Sequence, residues 1–458
     1  MSSWERYLDE HFERYVDELS ELVRIPSVSA LPEHAADVVR AAEWVAARLT
    51  AAGVENAAVM PTGGHPAVYG DWLHAGEDKP TILLYGHYDV QPADPLDLWN
   101  TPPFEPTIVD GRMYGRGASD DKGGMMTPVM AVEILLQSEG SLPVNVKFCL
   151  EGQEEIGSPQ MGPFLEEHSD LFKADLVLSA DGLLWSADEP EIVLGFKGLT
   201  GLQINVTGAT TDVHSGLHGG VFNNPVEALG NIIASLRSDD GKIAVEGFFD
   251  DVVELSAEAL DKIGQVPFNE ELLKEELGVP GFYGEPGYTI RERNWIRPTL
   301  ELNGIWGGFQ GKGTKTVIPA EAHAKITCRL VTDQQPEKIY ALLEAHIKKV
   351  APAGVTVEVE PLPGRGEPYL MSADHPGNVA AAEVFAQSFG VETPHHVYVG
   401  GSIPIITYFR RYLNADMINF GWSAGDENLH APNEFFRVRN LRRGAASYVL
   451  MLKRLAAG

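Results

Sequence analysis

Three short apolar runs punctuate the first part of the chain: "TILLYG" at 81–86, "VNVKFCL" at 144–150 and "ADLVLSA" at 174–180. Stretches of helical length such as "GGMMTPVMAVEILLQS" separate them. Ahead of them, "WERYLDEHFERYVDELSELVRI" and "EHAADVVRAAEWVAARLTAAG" repeat their apolar residues at helical spacing. Strands alternating with helices imply crossover connections, and so predict an α/β domain with a mostly parallel central sheet flanked by helices. His87 and Asp89 follow the first run, Glu154 and Glu155 come shortly after the second, and Asp181 directly follows the third. In open α/β sheets ligands bind at the carboxyl ends of the strands, so these residues are expected to converge on one crevice.

From about Gly195 the pattern changes. "IVLGFKGLTGLQINVTG" and "AEAHAKITCRLV" read as strands, while "NNPVEALGNIIASLRS", with Pro225 near its first turn, and "PEKIYALLEAHIKKV" read as helices. This mixture predicts a smaller α+β domain at 195–370, inserted into a catalytic domain made of 1–194 and 371–458. "LPGRGEPYL" serves as the return linker, and helices over "HPGNVAAAEVFAQSFG", "SIPIITYFRRYL" and "NLRRGAASYVLMLKRLAAG" complete the first domain.

Composition removes several classes of function. Thirty-five basic against sixty-five acidic residues give a net charge of -30, which repels nucleic acid and anionic membranes. The two cysteines, Cys149 and Cys328, each sit inside an apolar strand-like run, which excludes a thiolate metal site or disulfide framework and suits a reducing compartment. With no leader-like start and no apolar run near the ~18 residues of a spanning helix, the cytoplasm is the default location and no membrane partner is expected.

The polar motifs carry the chemistry, and each has a structural explanation as well. In "GHYDVQP", His87 and Asp89 alternate onto one side of an extended chain, so Asp89 is placed to orient the imidazole, although His-x-Asp pairs are common without such a role. "GRGASDDKGG" delivers Asp120 and Asp121 just before a helix, where either also reads as an N-cap. A carboxylate at Asp120 has two oxygens with which to bridge two cations ~3.5–4 Å apart. Asp181 at the end of an apolar strand is costly to bury unpaired, a cost that a metal resolves. His430 in "GDENLHAPNE" reads as an exposed loop histidine when taken alone, and the glycines of "TTDVHSGLHGG" fit a turn that leaves His214 unexplained.

Together "HYDVQP", "GRGASDDKGG", "EGQEEIGS", "LSADG", "DVHSG" and "HAPNE" resemble, in order and context, the dinuclear metallopeptidase family. That family includes bacterial and carnosine-type dipeptidases, acetylornithine deacetylase, succinyl-diaminopimelate desuccinylase and glutamate carboxypeptidases. "HSGLHGGVFNNPVEAL", "GKGTKTVIPAEAHAKITCRLV" and "GGSIPI" resemble the dipeptidase branch most. The resemblance implies two divalent ions, Zn or Mn with Co as a third choice. It assigns one to His87, Asp120 and Asp181 and the other to Asp120, Glu155 and His430. It further implies Glu154 as general base, Asp89 as the carboxylate behind His87, and a cis peptide between Asp120 and Asp121. The inserted region becomes a lid and dimerisation domain in which His214 reaches the active site of the partner subunit in a homodimer. Arg329 becomes a substrate-binding arginine, with Gly400, Gly401 and Ser402 a loop near the substrate carboxylate. His218, His395 and His396 are expected to be non-ligands, the latter two lining the pocket. The activity implied is hydrolysis of dipeptides or short peptides with a free C-terminus, by a hydroxide bridging the ions. An N-acyl-amino-acid deacylase on the same scaffold is the alternative, and a non-catalytic binding protein a remote one.

Overall fold

The three apolar runs fold as the strands Thr81–His87, Asn145–Glu151 and Leu176–Ser179, which lie side by side and parallel with the first in the middle. A fourth parallel strand, Asp416–Asn419, comes from the returning chain and pairs with Leu176–Ser179. Two antiparallel strands, Glu55–Met60 and Ala67–Trp72, extend the other side of this six-stranded sheet, with Ala67–Trp72 pairing against Asn145–Glu151. Neither stands out in the sequence. Ala67–Trp72 reads "AVYGDW" and is buried throughout, but its aspartate is hidden by local pairing: Asp71 accepts from Tyr69 Oη at 2.7 Å and from Asn56 Nδ2 at 2.9 Å.

These elements belong to the larger of two units that the computed structural model forms over the described residues 1–457. The larger unit comprises Met1–Val193, Met371–His396 and the chain from Pro404 onward; the smaller comprises Leu194–Leu370 and Val397–Ile403.

In the larger unit the helix Gly124–Glu139 packs against both Ser3–Val23 and Val438–Ala456 and is buried from Gly124 to Leu135. An apolar helix buried on all sides is expected in such a position, and its single acid within the buried stretch therefore needs partners. Glu133 accepts from Arg14, from Arg48 at 2.5 Å and from Tyr7 Oη at 3.1 Å, which joins the helices Ser3–Val23, Ala35–Ala51 and Gly124–Glu139 around one carboxylate. Burial opposes that charge, but Arg48 and Arg14 outweigh it and hold the carboxyl below its ordinary range. Lys122, also buried, donates to the carbonyls of Leu22 at 3.1 Å and Ile25 at 2.8 Å, where the first helix has run out of internal donors.

The smaller unit is built on an antiparallel four-stranded sheet in the order Thr299–Gly307, Glu321–Leu330, Gly198–Thr207, Thr356–Pro361. One face carries Leu202, Ile204, Val206, Ala324, Ile326 and Cys328 into a core shared with Leu229 and Ile232 of helix Pro225–Ser235 and Ile339, Leu343 and Ile347 of helix Pro336–Val350. Period-two burial along Glu321–Leu330 is what a sheet with one covered face requires. Both cysteines are free and buried. Among the described residues no helix is long and apolar enough to cross a membrane.

The segment Val397–Ile403 clusters with the smaller unit rather than with the returning chain at 371–458. Its cause is backbone pairing: Lys197 N–H lies 3.2 Å from Val399 O and 2.9 Å from Gly401 O.

The Glu133 cluster makes a test of how this unit is held. Glu133→Leu strips a buried arginine of one carboxylate, and is expected to lower the unfolding free energy by about 3 kcal/mol. Urea denaturation reads this as a lower midpoint with an unchanged slope.

Candidate metal centre and active site

His87 closes its strand and is fully buried. Its Nδ1 lies 3.1 Å from the backbone carbonyl of Asp89 and 3.4 Å from Asp89 Oδ1, while Nε2 faces Asp120 Oδ1 at 3.0 Å and Asp181 Oδ2 at 4.0 Å. One ring nitrogen is thus held from behind and the other presented to carboxylates, the arrangement a ligating imidazole needs. The Asp89 carboxylate has a second task that its position in the sequence does not reveal. Its two oxygens accept the backbone N–H groups of Glu154 at 3.2 Å and Glu155 at 3.1 Å, and so orient the turn in which the two glutamates diverge.

Asp120 sits in an irregular turn over Ala118–Gly123, with extended backbone at φ −113° and ψ 96°, and its peptide bond to Asp121 is cis. Capping, which the sequence leaves open for both aspartates, is not their role here, since the regular helix begins at Gly124 without a side-chain cap. Asp121 is buried and its Oδ2 accepts the His87 N–H at 3.2 Å. A Cβ at Gly124 would fall 2.1 Å from Asp121 Oδ1, so the close approach of turn and helix requires glycine there.

The turn is clamped from far along the chain. Glu434, fully buried, accepts from Arg116 Nη1 at 2.6 Å and from the backbone N–H groups of Gly117, Ser119 and Asp120 at 3.0, 2.9 and 3.1 Å. Glu427 adds a bond from Ser119 Oγ at 2.5 Å and is itself held by Arg437 Nη1 at 2.8 Å. The same loop carries His430, whose φ of 60° lies in the left-handed region, and places its Nε2 3.0 Å from Asp120 Oδ2 and 3.1 Å from Glu155 Oε2. Gln91 Nε2 donates to Glu155 Oε2 at 2.8 Å.

Two groups of side chains result in which all ligand atoms lie within 4.8 Å of one another: His87, Asp120 and Asp181, and Asp120, Glu155 and His430. Asp120 belongs to both and turns one oxygen to each histidine. Glu154 belongs to neither, although it adjoins Glu155. The electrostatics of these groups call for added positive charge. Hydrogen bonds donated to Asp120 and Glu155 raise His430 to about 10. Burial opposes charge on His87, yet Asp120 and Asp89 raise it well above its ordinary value. Burial pushes Asp181 up to about 6 and Glu154 well above the usual carboxylate range. Carboxylates that hold protons on neighbouring histidines form a site that divalent cations fit.

The other residues singled out by sequence lie in the smaller unit, except His395 and His396, which end the Met371–His396 part of the larger one. Arg329 Nη1 donates to Ser402 Oγ at 2.8 Å, and Ser402 Oγ donates in turn to the Lys197 carbonyl. Gly400 and Gly401 belong to the same Val397–Ile403 segment. His214 stands on a separate two-stranded ribbon, opposite Val317, and its Nδ1 accepts the Gly216 N–H at 2.9 Å, which leaves an Nε2–H donor on an exposed ring. His218 is exposed at the end of a short helix, and His395 packs edge-on to Trp185 with Nε2 3.5 Å from Glu189. Neither these two nor His396 enters a ligand group.

Sequence reasoning missed the supporting residues Gln91, Asp121, Lys197, Glu427 and Glu434. Gln91, Asp121, Glu427 and Glu434 stand inside the quoted motifs, but nothing local separates a buried clamping glutamate from a solvated one.

Comparison with known proteins agrees with this geometry. The family model described as peptidase family M20/M25/M40 matches residues 83–454. The Cys-Gly metallodipeptidase dug1 of Schizosaccharomyces pombe is 32% identical over 468 residues, covering 98% of this chain and 97% of its own. The human Beta-Ala-His dipeptidase is 30% identical over 467 residues, covering 98% and 92%. Among solved structures, an M20 family metallo-carboxypeptidase from Sulfolobus solfataricus superposes with a TM-score of 0.84 at 32% identity, covering 97% of this chain and 99% of its own.

Proton linkage tests the ligand groups without reference to activity. His430 in the ion-free protein keeps its proton up to about pH 10, and a ligating nitrogen must lose it. Metal binding at neutral pH is therefore expected to release protons, and affinity to rise as pH rises. Calorimetric titration in buffers of different ionisation heat measures the release; heats independent of buffer would remove the histidines from the ligand set.

Proposed function

The chain belongs to peptidase family M20/M25/M40, and from that premise we propose that it is a dinuclear metal-dependent dipeptidase acting on dipeptides or short peptides with a free C-terminus. The observation that carries this reading is a pair of three-residue ligand groups sharing Asp120, with an uncommitted carboxylate, Glu154, next to a member of one of them. We assign His87, Asp120 and Asp181 to one ion and Asp120, Glu155 and His430 to the other, with Zn or Mn preferred and Co tolerated. When bound, such a pair of ions polarises the scissile carbonyl and acidifies a water.

The chain's own residues do the rest. Glu154 takes the proton from the attacking water on its carboxylate and returns it to the nitrogen of the leaving amine, a task for which burial has already raised its proton affinity. Asp89 keeps the Glu154–Glu155 turn in place, so that one glutamate binds while its neighbour shuttles. Arg329 pairs with the terminal carboxylate of the substrate, and the Gly400–Ser402 loop adds donors around it. His214 supplies its Nε2–H to the developing oxyanion, reaching from the smaller domain of a second subunit.

A homodimer of this kind is supported by the edge strand Thr299–Gly307, which exposes Leu302, Ile305 and Trp306 with no strand beyond it among the described residues. Exposed apolar edges of this length are normally covered. Free, buried cysteines suit the cytoplasm.

Protein stripped with a chelator should recover hydrolysis of a dipeptide panel when Zn or Mn is returned, and Glu154→Gln should bind metal yet remain inactive. Faster turnover of N-acetyl amino acids than of the matching dipeptides would move the assignment to a deacylase. Inactive His214→Ala mixed with inactive Glu154→Gln should regain activity through hybrid dimers; no recovery after subunit exchange has been demonstrated would confine His214 to its own subunit.

A further inference from the structure

The smaller unit carries an open-mouthed cavity of about 400 Å³ that the peptidase reading does not use, within the size range of small-molecule sites. Its lining brings together three arginines, Arg237, Arg293 and Arg297, and two acids, Glu285 and Glu301. Two of the arginines are fully engaged. Arg297 donates to both oxygens of Glu285 at 2.9 and 2.8 Å and to Glu254 at 2.7 Å, and Arg237 donates to the carbonyls of Gly241 at 2.9 Å and Leu300, with Glu301 3.6 Å away.

Arg293 is different. Its Nε is buried and has no hydrogen-bond partner, and both acids of the lining are already beside other arginines. Arg293 is only half-buried and its side chain makes no ion pair among the described residues, so although carboxylates are abundant in a chain of net charge -30, its guanidinium is the cation of this lining left to meet an anion from outside. The backbone accommodates it: Gly284 has φ +152°, and a Cβ there would lie 3.0 Å from Arg293 Cδ. Phe249, Phe282 and Tyr283 supply an aromatic wall, with the exposed Tyr283 at the rim.

We propose that this cavity binds a small monocarboxylate with an aromatic or branched apolar body, the carboxylate on Arg293 and the body against Phe249 and Phe282. One unpaired cation selects one negative charge, and the aromatic wall selects against a bare inorganic anion. The site is independent of the peptidase reading, since none of its residues belongs to the ligand groups or to the Arg329–Ser402 pair.

Phenylacetate is a suitable probe, with phenylacetamide as its uncharged counterpart, and calorimetric titration of the metal-loaded enzyme is the assay. Because Arg329 also attracts carboxylates, the decisive protein is Arg329→Gln, in which phenylacetate should still bind at one site and phenylacetamide should not. Adding Arg293→Gln should weaken that binding at least tenfold, with melting curves confirming that the variant is folded. Crystals of the Arg329→Gln protein soaked with phenylacetate should carry the carboxylate at the Arg293 guanidinium, a result that needs no further substitution. Absence of millimolar or tighter binding to Arg329→Gln, equal binding after Arg293→Gln, or density elsewhere would each overturn the proposal.

Discussion

Asp120 can belong to two ligand groups only because the turn that presents it is clamped by one buried carboxylate. Glu434 accepts three backbone N–H groups from Gly117 to Asp120 as well as a guanidinium nitrogen of Arg116, itself almost wholly buried. A buried ion pair repays its desolvation only when the remaining lone pairs are also satisfied, and here the backbone of the turn satisfies them. The same exchange removes the donors that an irregular turn leaves unpaired. Since Glu434 and His430 share a loop, the contact that shapes the turn also brings the second histidine to Asp120.

Around that clamp the sheet sets direction. Parallel strands deliver His87, the Glu154–Glu155 turn and Asp181 from a common end, and the Asp89 carboxylate ties the first to the second. Two adjacent glutamates would ordinarily repel one another and drift apart in solvent. Fixing their backbone N–H groups lets Glu155 take up hydrogen bonds with His430 and Gln91 while Glu154 stays outside both ligand groups.

The parts of this arrangement that were legible in the sequence share a physical cause. Strands buried on both faces must be apolar at successive positions, so Thr81–His87, Asn145–Glu151 and Leu176–Ser179 announce themselves, and polar residues directly after such runs are conspicuous. Ala67–Trp72 is as deeply buried but carries an aspartate that Tyr69 and Asn56 neutralise, and pairing of that kind leaves no trace in hydropathy. The ligand groups could be named from motifs, whereas Glu434, Glu427 and Lys122 could not. Each is a charged residue whose burial depends on partners roughly 100 to 300 positions away in sequence, joined for Glu427 by the nearer Arg437, and in one dimension it is indistinguishable from a residue on a solvated loop.

Lys197 shows the same logic in the smaller unit. Burial, with Arg329 and Arg297 nearby, brings its ammonium down to about 7, and its Nζ is retained by the carbonyls of Arg293 at 3.1 Å and Arg297 at 2.6 Å. Its main chain meanwhile pairs with Val399 and Gly401 and accepts from Ser402, which receives the Arg329 guanidinium. The orientation of Arg329 is therefore set through Ser402 by backbone geometry. If Arg329 pairs with a substrate's terminal carboxylate as proposed, a site organised in this way would discriminate on the presence and position of that carboxylate far more than on the residue that carries it, because the fixed donors would contact only the part that all such peptides have in common.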